Sequence, residues 1–388
     1  MTEKLYYIDS HMKTFTATVT SCEKDGERYL VTLDRTAFFP EGGGQLGDSG
    51  TIGDARVFDT HEKDGIILHY VNRPLDTGHT YGCVVDWEKR FRRMQNHSGE
   101  HIVSGLVHKK YGYNNVGFHM GSDVVTIDFD GELTREQLSE IEREANYAVA
   151  ANYKVTATFP SEETLKTLEY RSKLELTENV RIVEIENVDV CACCAPHVSS
   201  TAEVGTVRIL SSERRRRGGE GVRITMLCGL DAYDNEVIIS ENNTEISVLL
   251  SAKRNETADA VRRLMGENEK LKTRCAELCG ALAKMKADAV APTEGNICLF
   301  DSVLDEPSLR ALVNECVKKC SGIAAVFSGS DEGGYRYIIG SRSVDLRKAA
   351  KSINDGISGR GGGSSEMIQG SCTACSLIIQ NFLTNFTV

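Results

Sequence analysis

Four side chains in two short blocks of the sequence have the types and spacing of metal ligands. Three residues separate His97 from His101, and Cys193 and His197 repeat that spacing about 90 residues later. Side chains four residues apart project from the same face of a helix, so the two histidines of the first block can share one ion. A set of four nitrogen and sulfur ligands, the number in a tetrahedral site, favours Zn²⁺ over cations that prefer oxygen ligands. The sequence therefore predicts one zinc ion per chain, bound by these four residues.

Two neighbouring features leave alternatives open at this site. Cys191 and Cys194 are close enough in sequence to replace Cys193 as the thiolate ligand. Glu100 gives the first block the H-x-x-E-H pattern of inverzincin peptidases, in which the glutamate is the general base. Those enzymes take a downstream carboxylate as third ligand, whereas this chain offers C-x3-H. We retain Glu100 as a candidate catalytic residue and a zinc peptidase as an alternative function.

A second candidate site is the segment Thr36-Ala-Phe-Phe-Pro-Glu-Gly-Gly-Gly-Gln45. Gly42, Gly43 and Gly44 lack side chains, so their backbone can approach a ligand closely. Thr36 and Gln45 bracket them with side chains that form hydrogen bonds. The pattern fits either a substrate-binding loop or a tight turn without a ligand.

The charge of the chain is acidic on average but basic in places. The formal net charge is −11, yet four consecutive arginines occur at Arg214, Arg215, Arg216 and Arg217. A phosphate backbone responds to the local field, so the acidic average does not exclude RNA. This arginine run is either a solvated loop or a phosphate clamp.

The hydrophobic pattern predicts a small antiparallel β-barrel followed by an α+β core. Residues 12–88 alternate in short strands separated by turn residues. From about Arg90 the period becomes helical, and a second helix over 134–152 starts at the N-cap candidate Thr134. We expect further strands near 124–129, 180–185 and 206–210.

Residues 244–287 are predicted to form one long helix with a heptad seam. Apolar residues at alternating steps of three and four pack against another helix, and one Asn on such a seam can fix register. The seam consists of Val261, Leu264, Asn268, Leu271, Cys275, Leu278, Leu282 and Met285. It predicts either a homodimer or hairpin contact, or a helix that lies on its own protein.

A compact α/β pattern follows Pro292, with strands at 297–300, 323–328 and 335–340, helices at 307–320 and 344–355, and a glycine-rich segment at 359–370. The predicted class is thus α+β with several domains. Their expected bounds are 1–89 for the barrel, 90–240 for the zinc-containing core, 241–291 for the long helix and 292–388 for the last domain.

The composition of the chain indicates the cellular compartment in which we expect the protein. We expect no signal peptide, because the first residues lack the apolar run of one, and no apolar run in the sequence is long enough to cross a bilayer. Thirteen cysteines in a long chain of this kind indicate reduced thiols. We expect a cytoplasmic protein that makes no contact with a membrane.

Three motifs in this order resemble one family. T-x-F-x-P-x-G-G-G-Q, H-x3-H and C-x3-H-V are similar to the editing domain of alanyl-tRNA synthetase and to its free-standing relatives, the AlaX proteins. The segment at 359–370 resembles the DHHA1 domain of the synthetase and of long AlaX proteins. The resemblance covers nearly the whole chain and implies that the modules which activate alanine are absent.

Carried over by position, the resemblance implies zinc ligands at the four His and Cys positions above and a substrate-binding glycine motif ending at Gln45. It implies a serine-sensing hydroxyl at Thr36. One block departs from the family pattern C-G-G-T-H, because this chain has Cys193-Cys-Ala-Pro-His197. The ligand spacing is kept, while Pro196 stiffens the approach to His197.

The resemblance implies a hydrolase that removes serine, with glycine as a second substrate, from mischarged tRNA(Ala). Alanine is smaller than serine, so sterics cannot exclude it, and a buried group that binds the serine hydroxyl must discriminate. The competing class is a catalytically silent RNA-binding or assembly protein that keeps zinc as a structural staple.

Overall fold

The computed structural model describes residues 2–121, 123–172, 180–215 and 220–387. Its contacts divide the chain into two units, Met1–Asn242 and Asn243–Val388. Helices and several separate sheets occur together, which confirms the α+β class. No helix within the described ranges is long and apolar enough to cross a membrane.

The first unit begins with eight strands, six of which close into a barrel in the order β2-β3-β7-β6-β5-β8. The strands are β1 (Glu3–Lys4), β2 (Thr14–Asp25), β3 (Arg28–Leu33), β4 (Arg35–Thr36), β5 (Gly50–Ile52), β6 (Ala55–Lys63), β7 (Ile66–Val71) and β8 (Thr80–Val85). The strands that the pattern predicted within residues 12–88 were at 14–19, 29–33, 66–70 and 82–86, so β5 and β6 were not predicted. In β6 a register shift between Val57 and Asp59 breaks the alternation of buried and exposed positions on which such a prediction depends.

The rest of the first unit packs two sheets and two long helices around one core. Its elements are α1 (Trp87–Tyr111), β9 (Asn115–Met120), β10 (Val125–Phe129), α2 (Arg135–Ala151), β11 (Val155–Thr158), α3 (Glu162–Leu165), β12 (Ile182–Ile185), β13 (Asp189–Ala192), β14 (Val207–Arg214), β15 (Val222–Cys228) and α4 (Gly229–Leu249). The sheets run β14-β15-β10-β9 and β11-β12-β13. Thr134 caps α2 as predicted, and Gln137 completes a capping box.

Helix α1 lies at the centre of this core. Its middle from Met94 to Ser104 is buried along every face, so even its polar residues are enclosed. The helix ends at Gly112, whose φ of 72° is the left-handed conformation that glycine tolerates best. A helix enclosed on all sides can hold functional side chains rigidly.

The second unit is a five-stranded sheet with helices. Its elements are α5 (Thr257–Ala289), β16 (Ile297–Phe300), α6 (Glu306–Cys316), β17 (Ile323–Ser330), β18 (Gly334–Ser341), α7 (Leu346–Gly356), β19 (Gly359–Gly363), β20 (Met367–Cys372) and α8 (Ser376–Thr384). The strand order is β16-β17-β18-β20-β19. The glycine-rich segment at 359–370 lies on the paired strands β19 and β20.

The prediction of one unbroken helix over 244–287 is wrong. Helix α4 ends at Leu249 and α5 begins at Thr257. Between them Ser251 has a φ of 48°, which interrupts a right-handed helix. The Asn243 side chain donates to the Arg254 carbonyl at 2.7 Å and accepts from the Thr257 hydroxyl at 2.8 Å, which stabilises the break.

The heptad seam lies within α5, and most of it is exposed. Leu264 is 51% exposed and Leu271 is 66% exposed. Only near the end of the helix do side chains such as Leu282 and Ala283 pack against the core that includes α6. Within the described part of the chain, the apolar side chains of the seam from Val261 to Leu278 are therefore exposed.

Candidate metal centre

The structure brings together the four residues that sequence spacing selected. Helix α1 carries His97 and His101, and the loop after β13 carries Cys193 and His197. Their ligand atoms all lie within 4.8 Å of one another. The three histidines are no more than 3% exposed. We call this group the His–Cys cluster.

The distances in the His–Cys cluster fit a zinc ion. The Cys193 Sγ lies 3.5 Å from the Nε2 of His97 and 3.3 Å from the Nε2 of His197. Ordinary Zn–N and Zn–S bond lengths at a tetrahedral angle place nitrogen and sulfur about 3.5 Å apart. Three imidazoles and one thiolate are also ligands that zinc prefers.

Each imidazole of the cluster has a different partner at its outer nitrogen. The His97 Nδ1 lies 3.0 Å from the Gln45 Oε1, and the His101 Nδ1 lies 3.1 Å from the Asp189 carboxylate. The His197 Nδ1 lies 3.0 Å from the Ser98 hydroxyl. Such partners fix the ring orientation and leave each Nε2 to face a metal.

Sequence reasoning missed Asp189, Ser98 and the arginine that supports Asp189. Arg171 holds this buried carboxylate through two hydrogen bonds of 2.7 and 2.8 Å. Asp189 is 88 residues from the histidine that it orients. No spacing rule links residues so far apart, because the fold alone brings β13 beside α1.

The electrostatics of the cluster favour a bound cation. Burial tends to raise the pKa of the Cys193 thiol, but the charge of His97 and hydrogen bonds from His101 and His197 hold it well below its usual value. Burial lowers the pKa of His197 to about 3, so this ring is neutral near pH 7. Burial would lower the pKa of His101, but Cys191, Asp189 and Cys193 raise it well above its usual value. A bound metal ion would take the place of that proton beside the thiolate.

The two neighbouring cysteines, Cys191 and Cys194, lie outside the His–Cys cluster. Cys191 is buried and groups with His101 and Asp189. Cys194 is exposed, and its Sγ lies 3.2 Å from the position that a Cβ on Gly43 would occupy. Cys193 is thus the cysteine that faces all three imidazoles.

Residues Gly42–Gln45 form a tight two-residue hairpin, which we call the glycine turn. The backbone N–H and C=O groups of Gly42 and Gln45 pair with each other at 3.0 Å. Gly43 and Gly44 both have positive φ, 60° and 82°, so this turn favours glycine at each position. Gln45 at its end is fully buried and is the residue that contacts His97. The glycine turn therefore places the Gln45 side chain against the His–Cys cluster.

A buried ion pair ties the segment around the glycine turn to α1. Arg90 and Asp48 are both essentially inaccessible, and the Arg90 Nε donates to Asp48 at 2.8 Å. Arg90 also donates to the Ala37 carbonyl at 2.6 Å, and Asp48 accepts from the Phe39 N–H at 2.6 Å. The barrel loop and the helix that carries two candidate ligands are thus held as one body.

Thr36 is buried in the barrel beside His69. The Thr36 hydroxyl lies 2.9 Å from the His69 Nε2 and accepts from the Phe38 N–H at 3.1 Å. The His69 Nδ1 lies 3.0 Å from the Val31 carbonyl, and burial lowers the pKa of His69 to about 4. A neutral His69 that donates to a carbonyl must accept at Nε2, so Thr36 donates its proton there.

Glu100 is buried next to the cluster. Its Oε1 accepts from the Ser104 hydroxyl at 2.6 Å and from the Asn115 amide. Its Oε2 lies 3.8 Å from the His101 Nε2. Cys193 and His197 supply the third and fourth candidate ligands of the cluster. Inverzincin peptidases instead use a downstream carboxylate as the third ligand.

The arginine run begins at Arg214, the last residue of edge strand β14. Arg214 is largely exposed and pairs with Glu132 at 3.5 Å. The Arg215 N–H donates to the Gly221 carbonyl at 3.0 Å. Arg216 and Arg217 lie outside the described residues. The contacts of Arg214 and Arg215 therefore leave their predicted phosphate-binding role as an expectation.

Two family models match parts of the chain. Residues 180–223 match the second additional domain of threonyl and alanyl tRNA synthetases. Residues 2–89 match the class II (A) tRNA synthetases. The first match contains Cys193 and His197, and the second contains the glycine turn.

Individual relatives extend these matches to almost the whole chain. The chain is 28% identical to the alanyl-tRNA editing protein AlaX-L of Pyrococcus horikoshii, over 95% of this chain and 94% of that protein. It is 32% identical to AlaX-M of Methanosarcina barkeri, over 58% of this chain and 100% of that protein. The alanine–tRNA ligase of Ignicoccus hospitalis is 29% identical over 93% of this chain, which spans 40% of the ligase.

Proposed function

Because the chain belongs to the family of alanyl-tRNA editing proteins, we propose that it hydrolyses the aminoacyl ester of mischarged tRNA(Ala). Serine is the proposed main substrate, and glycine the second. The observation that carries the proposal is the contact of the glycine turn with the His–Cys cluster, since Gln45 binds the outer nitrogen of His97.

His97, His101, Cys193 and His197 would hold one zinc ion per chain. When bound there, zinc would either supply a Lewis acid beside the ester, for which Cys193 would have to give up its coordination position, or only orient the substrate while another group activates water. The chain's own contribution is orientation, because Gln45, Asp189 and Ser98 fix the rings.

Gln45 is also the proposed hydrogen-bond donor to the substrate. Its Oε1 faces His97, while its buried Nε2 has no hydrogen-bond partner among the described residues. A buried donor of this kind is costly when it stays unpaired. An ester carbonyl that develops negative charge during hydrolysis would satisfy it.

Glu100 is the proposed proton acceptor for the attacking water. Its carboxylate is buried beside His101, and Ser104 and Asn115 hold its Oε1 in place. A positioned carboxylate next to a Lewis-acid site can act as a general base. Replacing Glu100 with Gln keeps its size and removes the negative charge, so this variant would test the role.

Thr36 is the proposed sensor of the serine hydroxyl. Its proton goes to His69 and one lone pair of its oxygen goes to the Phe38 N–H, which leaves the second lone pair as an acceptor. A serine hydroxyl can donate to that lone pair, and alanine cannot. Thr36 would thereby favour serine without excluding alanine by size.

The second unit is proposed to be a DHHA1-like domain that holds tRNA, with the exposed seam of α5 forming a homodimer. Exposed apolar side chains at heptad spacing support the dimer. Arg214, Arg215, Arg216 and Arg217 would add phosphate contacts. We retain the four domains 1–89, 90–240, 241–291 and 292–388 as a proposal, with 241–291 now comprising the end of α4, a turn and α5.

Single-turnover deacylation of Ser-tRNA(Ala) tests the proposal. Wild-type protein should cleave this ester, and the double variant His97→Ala/His101→Ala should cleave it at the uncatalysed rate. A matched control is Thr134→Ala, which removes a helix cap in the same unit and should keep activity. Equal rates for wild-type and double-variant protein would reject the function, and tRNA binding without hydrolysis would favour the silent RNA-binding alternative.

A further inference from the structure

Tyr6 carries a buried hydroxyl without a hydrogen-bond partner. It lies in the short turn Leu5–Tyr7, which precedes the barrel strand β2, and its side chain is 1% exposed. Its phenol oxygen has no partner among the described residues. Buried hydroxyls are nearly always paired, because an unpaired one loses its hydrogen bonds to water. A phenylalanine would fill the same volume without that cost.

The surroundings of Tyr6 connect the barrel to the His–Cys cluster. Tyr6 forms a small buried group with Phe39, Ile67 and Ala195, against which Cys193 packs. The ring centroids of Tyr6 and Phe39 are 5.5 Å apart in an edge contact. Phe39 precedes the glycine turn, and Ala195 lies between the candidate ligands Cys193 and His197. The unpaired hydroxyl thus belongs to a buried group shared by both halves of the site.

Thr36 and Tyr6 differ in what they can gain from a substrate. The Thr36 hydroxyl already has two partners, His69 and the Phe38 N–H. Tyr6 has none within the described ranges, so a new hydrogen bond there recovers the whole loss caused by burial. A tyrosine phenol keeps its proton at neutral pH, so the Tyr6 hydroxyl can act as a donor.

We propose that the Tyr6 hydroxyl is a specificity-determining group that donates a hydrogen bond to the side-chain oxygen of the seryl group. This inference rests on the proposed function and adds a second group to the discrimination assigned to Thr36. Serine offers an oxygen to the phenol, whereas alanine and glycine leave it unpaired. The two residues would divide the task, with Tyr6 donating to the serine oxygen and Thr36 accepting its proton.

The variant Tyr6→Phe tests the inference because it removes one oxygen and keeps the ring. We expect hydrolysis of Ser-tRNA(Ala) to slow by about tenfold, the order of effect of one buried hydrogen bond, with the rates for Ala-tRNA(Ala) and Gly-tRNA(Ala) unchanged. The matched control is Tyr7→Phe, which deletes the neighbouring hydroxyl and should keep the wild-type Ser/Ala ratio. An unchanged ratio in Tyr6→Phe, or an equal loss on all three esters, would overturn the inference.

Thermal stability and binding separate a substrate contact from a structural role. A hydroxyl without a partner in the free protein contributes nothing to folding, so Tyr6→Phe should keep or raise the melting temperature. A fall of several degrees would reveal an internal hydrogen bond and overturn the inference. A non-hydrolysable seryl amide of 3'-amino-3'-deoxyadenosine should bind Tyr6→Phe more weakly, while the alanyl analogue should bind both proteins equally. Wild-type protein that cleaves none of the esters would instead overturn the proposed function.

Discussion

The outer nitrogens of the three clustered imidazoles are bound by an amide, a carboxylate and a hydroxyl. This arrangement makes residues that are not themselves candidate ligands important for metal affinity. Asp189 is the strongest of the three, because it is charged, buried and paired with Arg171. Its carboxylate stabilises the ring of His101 in the orientation that a metal requires.

We predict that Asp189→Asn weakens zinc binding by about 10–100-fold, because second-sphere partners of histidine ligands contribute at that level. Competition against a chromogenic chelator measures the affinity. Asp128→Asn is the matched control, since this carboxylate pairs with Arg223 on the sheet surface. Equal zinc affinity in the two variants would show that Asp189 does not support His101 as a zinc ligand.

Thr36→Val should reduce serine hydrolysis selectively, by roughly tenfold, because it keeps the shape of the side chain and removes the hydroxyl. The same change leaves His69 without its hydrogen-bond donor, so the free energy of unfolding should also fall, by about 1–3 kcal/mol. Thr60→Val controls for the stability loss, since the Thr60 hydroxyl donates to the Asp48 carbonyl elsewhere in the barrel. An unchanged Ser/Ala ratio in Thr36→Val would take Thr36 out of the sensing role.

At the scale of elements, the barrel and α1 are joined by the buried pair of Arg90 and Asp48. Removing one partner of a buried pair leaves the other charge uncompensated. Arg90→Met should therefore lower the free energy of unfolding by about 3–5 kcal/mol, as measured by urea denaturation. Arg223→Met breaks a partly exposed pair and should cost at most about 1 kcal/mol. Similar losses in both variants would contradict a structural role for the buried pair.

The sequence predicted elements where local signals are strong. Thr134 alone predicted the start of α2, and the structure adds Gln137, three residues later, as its partner in a capping box. The break between α4 and α5 was missed because no Gly or Pro marks it. It depends on Asn243, whose amide reaches Arg254 and Thr257 only after the chain has turned. The partners Asp189 and Ser98 were missed for the same reason, since contacts across the fold have no spacing rule.

The whole molecule consists of two units, and the proposed ester chemistry belongs to the first. Arg92 pairs with Asp231 and Asp234, and Arg208 pairs with Glu236. The start of α4 is therefore part of the first unit, and a truncated chain should extend to Asn242. We predict that such a chain keeps zinc and hydrolyses Ser-tRNA(Ala) at high tRNA concentration. Its apparent affinity for tRNA should fall, and an unchanged affinity would contradict the tRNA-holding role of the second unit.

The exposed seam of α5 predicts a dimer of the full chain. Leu264→Glu with Leu271→Glu places charges on the seam and should halve the mass measured by sedimentation equilibrium. Lys272→Glu, an exposed change beside the seam, should leave the mass unchanged. Wild-type protein that sediments as a monomer would defeat the dimer and leave α5 as an intramolecular spacer.

The central claim is that the His–Cys cluster binds zinc and that this site hydrolyses mischarged tRNA(Ala). Its most direct test is deacylation of Ser-tRNA(Ala) and Ala-tRNA(Ala) by metal-stripped protein during titration with zinc. Activity on the serine ester should rise with zinc, reach its plateau at one ion per chain, and exceed activity on the alanine ester by at least about tenfold. Full activity of the metal-stripped protein, or equal rates on the two esters at the plateau, would contradict the account.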